Sequence, residues 1–361
     1  MTVLVSNGRN NLSQECHQIL EAFATSIDDK RGIFIKPNIV FPLKARSEEI
    51  TSPNLVKALI TTLRERYPGI DIILGEGVAA GCDPLVNFRI SGYADLADRL
   101  HVPILDLHQE ERITFSWKFG KLELPRVALE RTYINLPILK PSSACVISGA
   151  LKNQKGLLTS NEKRRFHRLG LHDQIAELNA MIQPSLTIMD CSRFFGKHVL
   201  LSGDNCGELD ATACKYLVIE EPEHIRLSRN AGVFANGFTI IGDDLHLRKT
   251  SLRPRSADYK TLGRLRLWSN PQACTMCRYL FHDLNRNAFK PNHLSLTIKL
   301  LIHSIKGAEI IMGSNPQWRK ECETVICVGE CTRRIAKEEG VIHIPGCPPT
   351  LNDLKKKLPW S

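Results

Sequence analysis

The chain has 361 residues, enough for two domains or for one large α/β domain with a smaller appendage. With 43% hydrophobic and 24% charged residues its composition is that of a globular protein, which excludes a disordered or fibrous chain. A net charge of +10 favours anionic partners, whether phosphorylated or carboxylated small molecules, nucleic acid or an acidic redox protein.

The N-terminal "MTVLVSNGRNNLSQ" lacks a basic lead and a small-residue cleavage pattern, and no apolar run reaches the ~18–20 residues of a membrane span. The expected location is cytoplasmic, with no membrane partner. From there, short apolar runs alternate with helix-period stretches. Strands are predicted over 2–6, 32–36, 71–75, 103–107, 132–139, 185–190 and 198–203, and helices over 52–67, 172–183, 209–219 and 222–232. This alternation predicts an α/β fold: a mostly parallel sheet with helices on both faces. Residues 246–270 are basic and rich in Leu and Arg, and read as a connection or an irregular strand pair. Beyond them the alternation resumes, with a helix entered at "NPQACTMC", a helix over 293–307, strands over 308–313, 324–329 and 341–346, a helix over 331–340 and a terminal helix. The expected organisation is therefore a domain over 1–245, a basic connection over 246–270 and a smaller cysteine-rich α/β module over 271–361.

Twelve cysteines are many for a reducing compartment, where disulfides do not persist. Cys16, Cys82, Cys145, Cys191, Cys206 and Cys214 are scattered and read as small buried apolar side chains. Cys274, Cys277, Cys322, Cys327, Cys331 and Cys347 crowd the last hundred residues, where metal ligation is the leading idea. Cys331 follows Gly329 and Cys347 follows Gly346, each past the carboxyl end of a predicted strand, so a β-α-β unit delivers both to one sheet edge. A C-x-x-C at a helix entry, Cys274 and Cys277, supplies the other two thiolates. Four thiolates suit zinc or an iron–sulfur cluster. Structural zinc sites favour two short-spaced pairs, so single ligands from separate strand ends favour [4Fe-4S] over zinc. Cys327, inside a strand, reads as core and Cys322 as a loop residue, although either remains an alternative ligand. The set "C-x-x-C … VGEC … IPGCPP" resembles the iron–sulfur ligation of nickel–iron hydrogenase small subunits and of the small cluster-bearing subunit of respiratory NADH dehydrogenase. That resemblance implies a [4Fe-4S] cluster on Cys274, Cys277, Cys331 and Cys347.

In the first two-thirds, polar residues follow the apolar strands. Lys36, Asn38, Glu76, Lys152, Asn153 and His167 are candidate catalytic groups; Lys140, Lys155, Asp190 and Asp204 are candidate substrate contacts. Lysines gathered at strand ends suit a carboxylate or phosphate, and His167 suits proton transfer near neutral pH. Asp210, near a helix start, reads as a cap. The pieces "IKPNIV", "TSPNLVKALI", "GEG", "NLPILKPSS", "ALKNQKGLL", "IAELN", "PSLTIMD" and "LSGDNCGELDATA" run in one order and resemble the domain of unknown function 362 family. That family commonly has a Glu-Gly and Gly-Pro-rich loop where this chain has "CSRFFGKHVL", which implies a different substrate. Members often carry iron–sulfur segments, in agreement with the cysteines.

The resulting expectation is an iron–sulfur oxidoreductase or electron-transfer protein acting on an anionic small molecule, with a redox partner such as a ferredoxin. Two alternatives stand beside it. One is a non-redox ligase, lyase or transferase whose cluster is structural or a Lewis acid. The other is a nucleic-acid-binding or assembly protein with structural zinc, disfavoured because aromatics are scarce among the basic clusters. No G-x-x-x-x-G-K-[ST] or G-x-G-x-x-G loop is present, which argues against ATP or NAD by those routes.

Overall fold

In the computed structural model, residues 2–8, 11–142, 144–242, 245–246, 249, 252, 258–269, 277, 280, 289–313, 318 and 320–360 are described. The chain divides into two units, Met1–Leu252 and Arg253–Ser361. Among the described residues no helix is long and apolar enough to cross a membrane.

Eight strands form the sheet of the first unit: β1 (Thr2–Asn7), β2 (Ile33–Lys36), β3 (Ile72–Glu76), β4 (Ile104–Asp106), β7 (Thr132–Asn135), β10 (Leu186–Asp190), β11 (Val199–Gly203) and β12 (Thr239–Gly242). Two hairpins complete the numbering, β5 (Arg112–Trp117) with β6 (Gly120–Pro125) and β8 (Lys140–Ser142) with β9 (Val146–Ser148). The sheet order is β12-β1-β11-β10-β7-β2-β3-β4. Only β11 runs against the others, so the sheet is mostly parallel, as the alternation of strand and helix periods predicts.

Period-two alternation divides the core between the two faces. Phe34, Met189 and Leu201 point into one apolar cluster, while Ile33, Ile35, Ile188 and Leu200 point into another. Both faces therefore need helical cover. The helix Pro53–Arg66 shows how the sequence provides it. Ser52 caps the first turn by accepting from the Asn54 N–H, Pro53 occupies the first helical position, and Leu55, Val56, Leu59, Ile60 and Leu63 form one buried stripe.

The second unit contains a five-stranded sheet in the order β13 (Asp258–Leu262), β14 (Leu265–Ser269), β15 (Ala308–Met312), β16 (Val325–Val328) and β17 (Ile342–Ile344). β13 and β14 form an antiparallel hairpin, and β14 to β17 run parallel. Of the basic stretch 246–270, read as a connection or an irregular strand pair, residues 258–269 thus form a strand pair at one side of this sheet. Ile310, Met312, Ile326, Val328 and Ile344 pack with Leu296, Leu300, Leu354 and Leu358 on one face, and Ile311, Val325 and Cys327 with Ala336 on the other.

Candidate functional site

Four neighbouring parallel strands of the first unit, β10, β7, β2 and β3, end in Asp190, Asn135, Lys36 and Glu76. The carboxyl edge of a parallel sheet is where α/β proteins collect ligands. Lys36 Nζ donates to Glu76 Oε2 at 2.8 Å and to the Pro37 carbonyl at 3.0 Å. Neither partner is open to solvent: Lys36 is 0% and Glu76 2% exposed. Burial lowers the pKa of Lys36, and the Glu76 carboxylate opposes that shift. Gly156 explains the seal. A Cβ there would lie 2.2 Å from Glu76 Oε1 and 2.5 Å from Lys36 Nζ, so only glycine lets the Gln154–Leu157 turn close over the pair.

Beside this pair runs a chain of side-chain amides. Lys140 Nζ donates to Asn38 Oδ1 (2.8 Å), Asn38 Nδ2 to Asn153 Oδ1 (2.7 Å), Asn153 Nδ2 to Asn135 Oδ1 (2.8 Å) and Asn135 Nδ2 to the Ala150 carbonyl (3.3 Å). The chain fixes which end of each amide faces its neighbour and anchors the Lys140 ammonium. Burial brings the Lys140 pKa down to about 8, with Glu49 opposing and Lys152 assisting. Lys152 Nζ donates to Ser142 Oγ at 2.8 Å, and Lys155 lies 3.4 Å from the Nε2 of an exposed His167. Asp190 accepts from the Ser192 N–H at 2.9 Å.

The predicted residues of the first unit thus fall into three groups. Lys36, Glu76, Asn38, Asn153 and Asp190 form a buried floor, and Lys140, Lys152 and Lys155 form a more open cationic rim with His167 at its margin. Asp204 stands apart. It follows β11, whose antiparallel course puts Gly203 opposite Thr187 at the start of β10, so Asp204 is exposed at the other edge of the sheet. Asp210, read as a cap, accepts from the Ala150 and Leu151 N–H groups at 2.6 and 3.1 Å, across sixty residues of sequence rather than on its own helix. Burial pushes its carboxyl up to about 7 against those two donors.

Two features escape the sequence. Lys163 belongs to the floor, donating to the carbonyls of Gly77 and Val78. Burial, with Lys36 and Lys155 nearby, brings its pKa down to about 7 while Glu76 opposes. The second is a group of potential metal ligands, Cys145, His172 and His224, whose ligand atoms lie within 4.8 Å of one another. One sulfur and two imidazoles at that separation can hold a single metal ion.

In the second unit β16 and β17 are adjacent and parallel, and they deliver Cys331 and Cys347 to one edge. The loops behind them are tied together: Gly329 N donates to the Ile344 carbonyl (2.9 Å), Glu330 N to the Gly346 carbonyl (2.9 Å) and Gly346 N to Glu330 Oε1 (3.1 Å). Gly329 has φ 96°, and a Cβ there would lie 3.1 Å from Cys277 Sγ and 3.6 Å from Cys331 Sγ. Two thiols therefore converge on a position that a side chain would fill. Cys327 is fully buried on the face holding Ile311 and Val325, where burial, and behind it Cys331, pushes its thiol to about 11. Cys322 lies at the opposite edge, 3.5 Å from where a Cβ on Gly307 would stand, just before β15. Cys274 lies outside the described residues.

The fold and these groups define an α/β protein with a polar, cationic carboxyl edge and a second α/β unit carrying clustered cysteines. Residues 33–214 match the family described as Domain of unknown function (DUF362), and the chain belongs to that family. Among solved structures, the lactate racemase apoprotein from Thermoanaerobacterium thermosaccharolyticum is similar over 86% of this chain and 68% of its own, with 12% identity and a TM-score of 0.44. No curated protein matches the chain.

Proposed function

We propose that the protein is an iron–sulfur protein, an oxidoreductase or electron-transfer protein whose first unit binds an anionic small molecule and whose second unit holds a [4Fe-4S] cluster. The observation that carries this reading is the approach of Cys277 Sγ and Cys331 Sγ to Gly329, with Cys347 on the adjacent strand end. Cys277, Cys331 and Cys347, with Cys274, would hold the cluster. An all-thiolate donor set without carboxylate suits iron–sulfur or zinc, and the single ligands from two strand ends favour the larger centre. The Gly329 cradle is consistent with a bulky group there, since a Cβ would occupy the space the sulfurs face. When bound, the cluster supplies one-electron chemistry.

Cys331 and Cys347 are exposed, and Arg333 and Arg334 stand exposed just beyond Cys331. Each of these arginines pairs with a glutamate, Arg333 with Glu330 and Arg334 with Glu338, so it is the exposure of the two cysteines that suits exchange with a redox protein such as a ferredoxin better than a purely structural role. In the first unit Lys140, Lys152 and Lys155 provide the charge that holds a carboxylate or phosphate, and the buried amide chain keeps Lys140 in place.

The test is iron and sulfide analysis with absorption and electron paramagnetic resonance spectra on protein purified without oxygen. The expected content is about four irons per chain, lost in Cys331→Ser and Cys347→Ser and kept in Cys327→Ser. Colourless protein holding one zinc on these cysteines, or loss of the cluster in Cys327→Ser alone, overturns the reading.

A further inference from the structure

We propose that Cys145, His172 and His224 in the first unit form a zinc site with one coordination position open, next to the rim lysine Lys152. The proposal concerns the first unit only and stands independently of the cluster.

The three residues come from separate elements. Cys145 sits in the turn between β8 and β9, His172 is the second residue of the helix Leu171–Met181, and His224 the second residue of the helix Glu223–Asn230. Their ligand atoms lie within 4.8 Å of one another, and the two imidazole centroids are 5.9 Å apart. Cys145 and His224 are both 0% exposed.

What calls for a ligand is the state of the histidines. Neither ring nitrogen of His224 has a hydrogen-bond partner, and His172 Nδ1 is buried without one. A buried polar group left unpaired is costly, so packing alone is a poor account of three such nitrogens at one point. A metal ion offsets part of that cost by taking the one lone pair that each neutral ring offers, on His172 Nδ1 and on one nitrogen of His224. His172 Nε2 lies 3.6 Å from Glu223 Oε2, the outer carboxylate contact that commonly orients a ligating imidazole.

The turn that carries Cys145 is strained in the same place. Val146 has φ 62°, a left-handed conformation that a β-branched residue rarely adopts. Ser142 Oγ accepts from the Cys145 N–H at 3.2 Å and from Lys152 Nζ at 2.8 Å, so one hydroxyl fixes the turn and joins the Cys145 site to the cationic rim.

One thiolate and two imidazoles without a carboxylate disfavour magnesium and calcium and suit zinc. Three protein ligands leave a fourth position for water or for an oxygen of the bound substrate, the arrangement of a catalytic rather than a structural zinc. Lys152 beside it selects an anion. The substrate class is thus a carboxylate or phosphate with a second oxygen that reaches the metal.

The test uses the full chain, stripped of adventitious metal and titrated with zinc against a chromophoric chelator, with cobalt(II) as a spectroscopic probe. One zinc per chain is expected in addition to any iron. Cobalt should show thiolate charge-transfer absorption that disappears in Cys145→Ser. Cys145→Ser and His172→Gln should each weaken zinc binding by more than the roughly hundredfold that loss of a supporting outer contact costs at most, with iron content unchanged. His172 is only half-buried, so His172→Gln keeps the test decisive if Cys145→Ser fails to fold. Zinc affinity equal to that of the parent in His172→Gln, loss of zinc only in Cys331→Ser, or binding of copper with no zinc overturns the proposal. Absence of iron with zinc retained removes the cluster reading and leaves this one standing.

Discussion

Lys36 and Glu76 end adjacent parallel strands and meet at 2.8 Å in an ion pair that water does not reach. A buried pair is weak evidence for stability as such, because desolvating two charges offsets most of their attraction. Removing one partner is another matter, since the other is left buried and unpaired. Lys36→Met or Glu76→Leu alone should cost about 3–5 kcal/mol, and the double variant should recover most of that loss. Urea unfolding of the three variants provides the cycle. Losses that simply add would mean that the pair does not act as a unit.

Gly156 sets the lid on that pair. In Gly156→Ala the new methyl would meet Glu76 Oε1 and Lys36 Nζ, both held by their mutual bond rather than at loose ends. The expected cost is about 1–3 kcal/mol, with partial recovery in the background that replaces both charges, because Lys36→Met keeps a carbon in the place of Lys36 Cε, 2.6 Å from the added methyl. The same substitution at Gly69, where a Cβ would meet nothing within 4 Å, has no such clash and serves as the control, with φ 79° as its only source of strain.

Lys163 makes the stability depend on pH. Its folded pKa of about 7 lies below the ordinary lysine value of 10.5, so the unfolded chain binds the proton more tightly. The cost of burying its charge is present in full below about 7 and is relieved as pH rises from there towards the unfolded value. Lys163→Met should flatten the stability profile over that window relative to the parent. It also leaves the Gly77 and Val78 carbonyls without their donor, so its stability at the alkaline end should be lower than the parent's. Parallel profiles for the two proteins between pH 7 and 10 would show that Lys163 does not titrate there.

Lys140 should govern anion binding in the opposite sense. Its ammonium persists below about 8 and is lost above, so affinity for a carboxylate or phosphate probe should fall as pH rises through that value. Lys140→Met should bind the probe weakly at all pH values and remove the limb. Isothermal titration across the range reads both. A limb unchanged by the substitution would place the titrating group elsewhere.

Much of this was legible in sequence because it depends on local pattern. Ile33, Phe34 and Ile35 form a continuous apolar run buried on both faces, which marks a central strand wherever it occurs. Gly329 before Cys331 and Gly346 before Cys347 likewise announce the ends of β16 and β17. Strand direction is not encoded in this way. "VLLSG" is apolar read either way, so Asp204 after β11 looks like Asp190 after β10 although they lie at opposite edges. Lys163 sits in "NEKRRFHR", where a charge run reads as a solvated helix face; only tertiary packing turns that one residue inward. The Cys145 group has no spacing to recognise, because it joins a turn to the starts of two helices and exists only once they pack.

Gly329 offers the sharpest test of the cysteine edge. Its φ of 96° is one that side chains rarely adopt, and a Cβ would press on Cys277 Sγ at 3.1 Å. Cys277 is buried among Leu280, Met312 and Val328, so its sulfur has little room to retreat. Gly329→Ala leaves every cysteine in place yet occupies the point the two sulfurs face. Iron content per chain and the cluster's absorption should therefore drop towards those of Cys331→Ser. Gly196→Ala, at φ 110° and ψ 170° beside 96° and 156° for Gly329 but with nothing within 4 Å of the added carbon, should keep its iron. Backbone strain alone would affect the two variants alike, whereas a steric demand of the centre separates them. Full iron in Gly329→Ala would mean that the cluster does not occupy the space between Cys277 and Cys331.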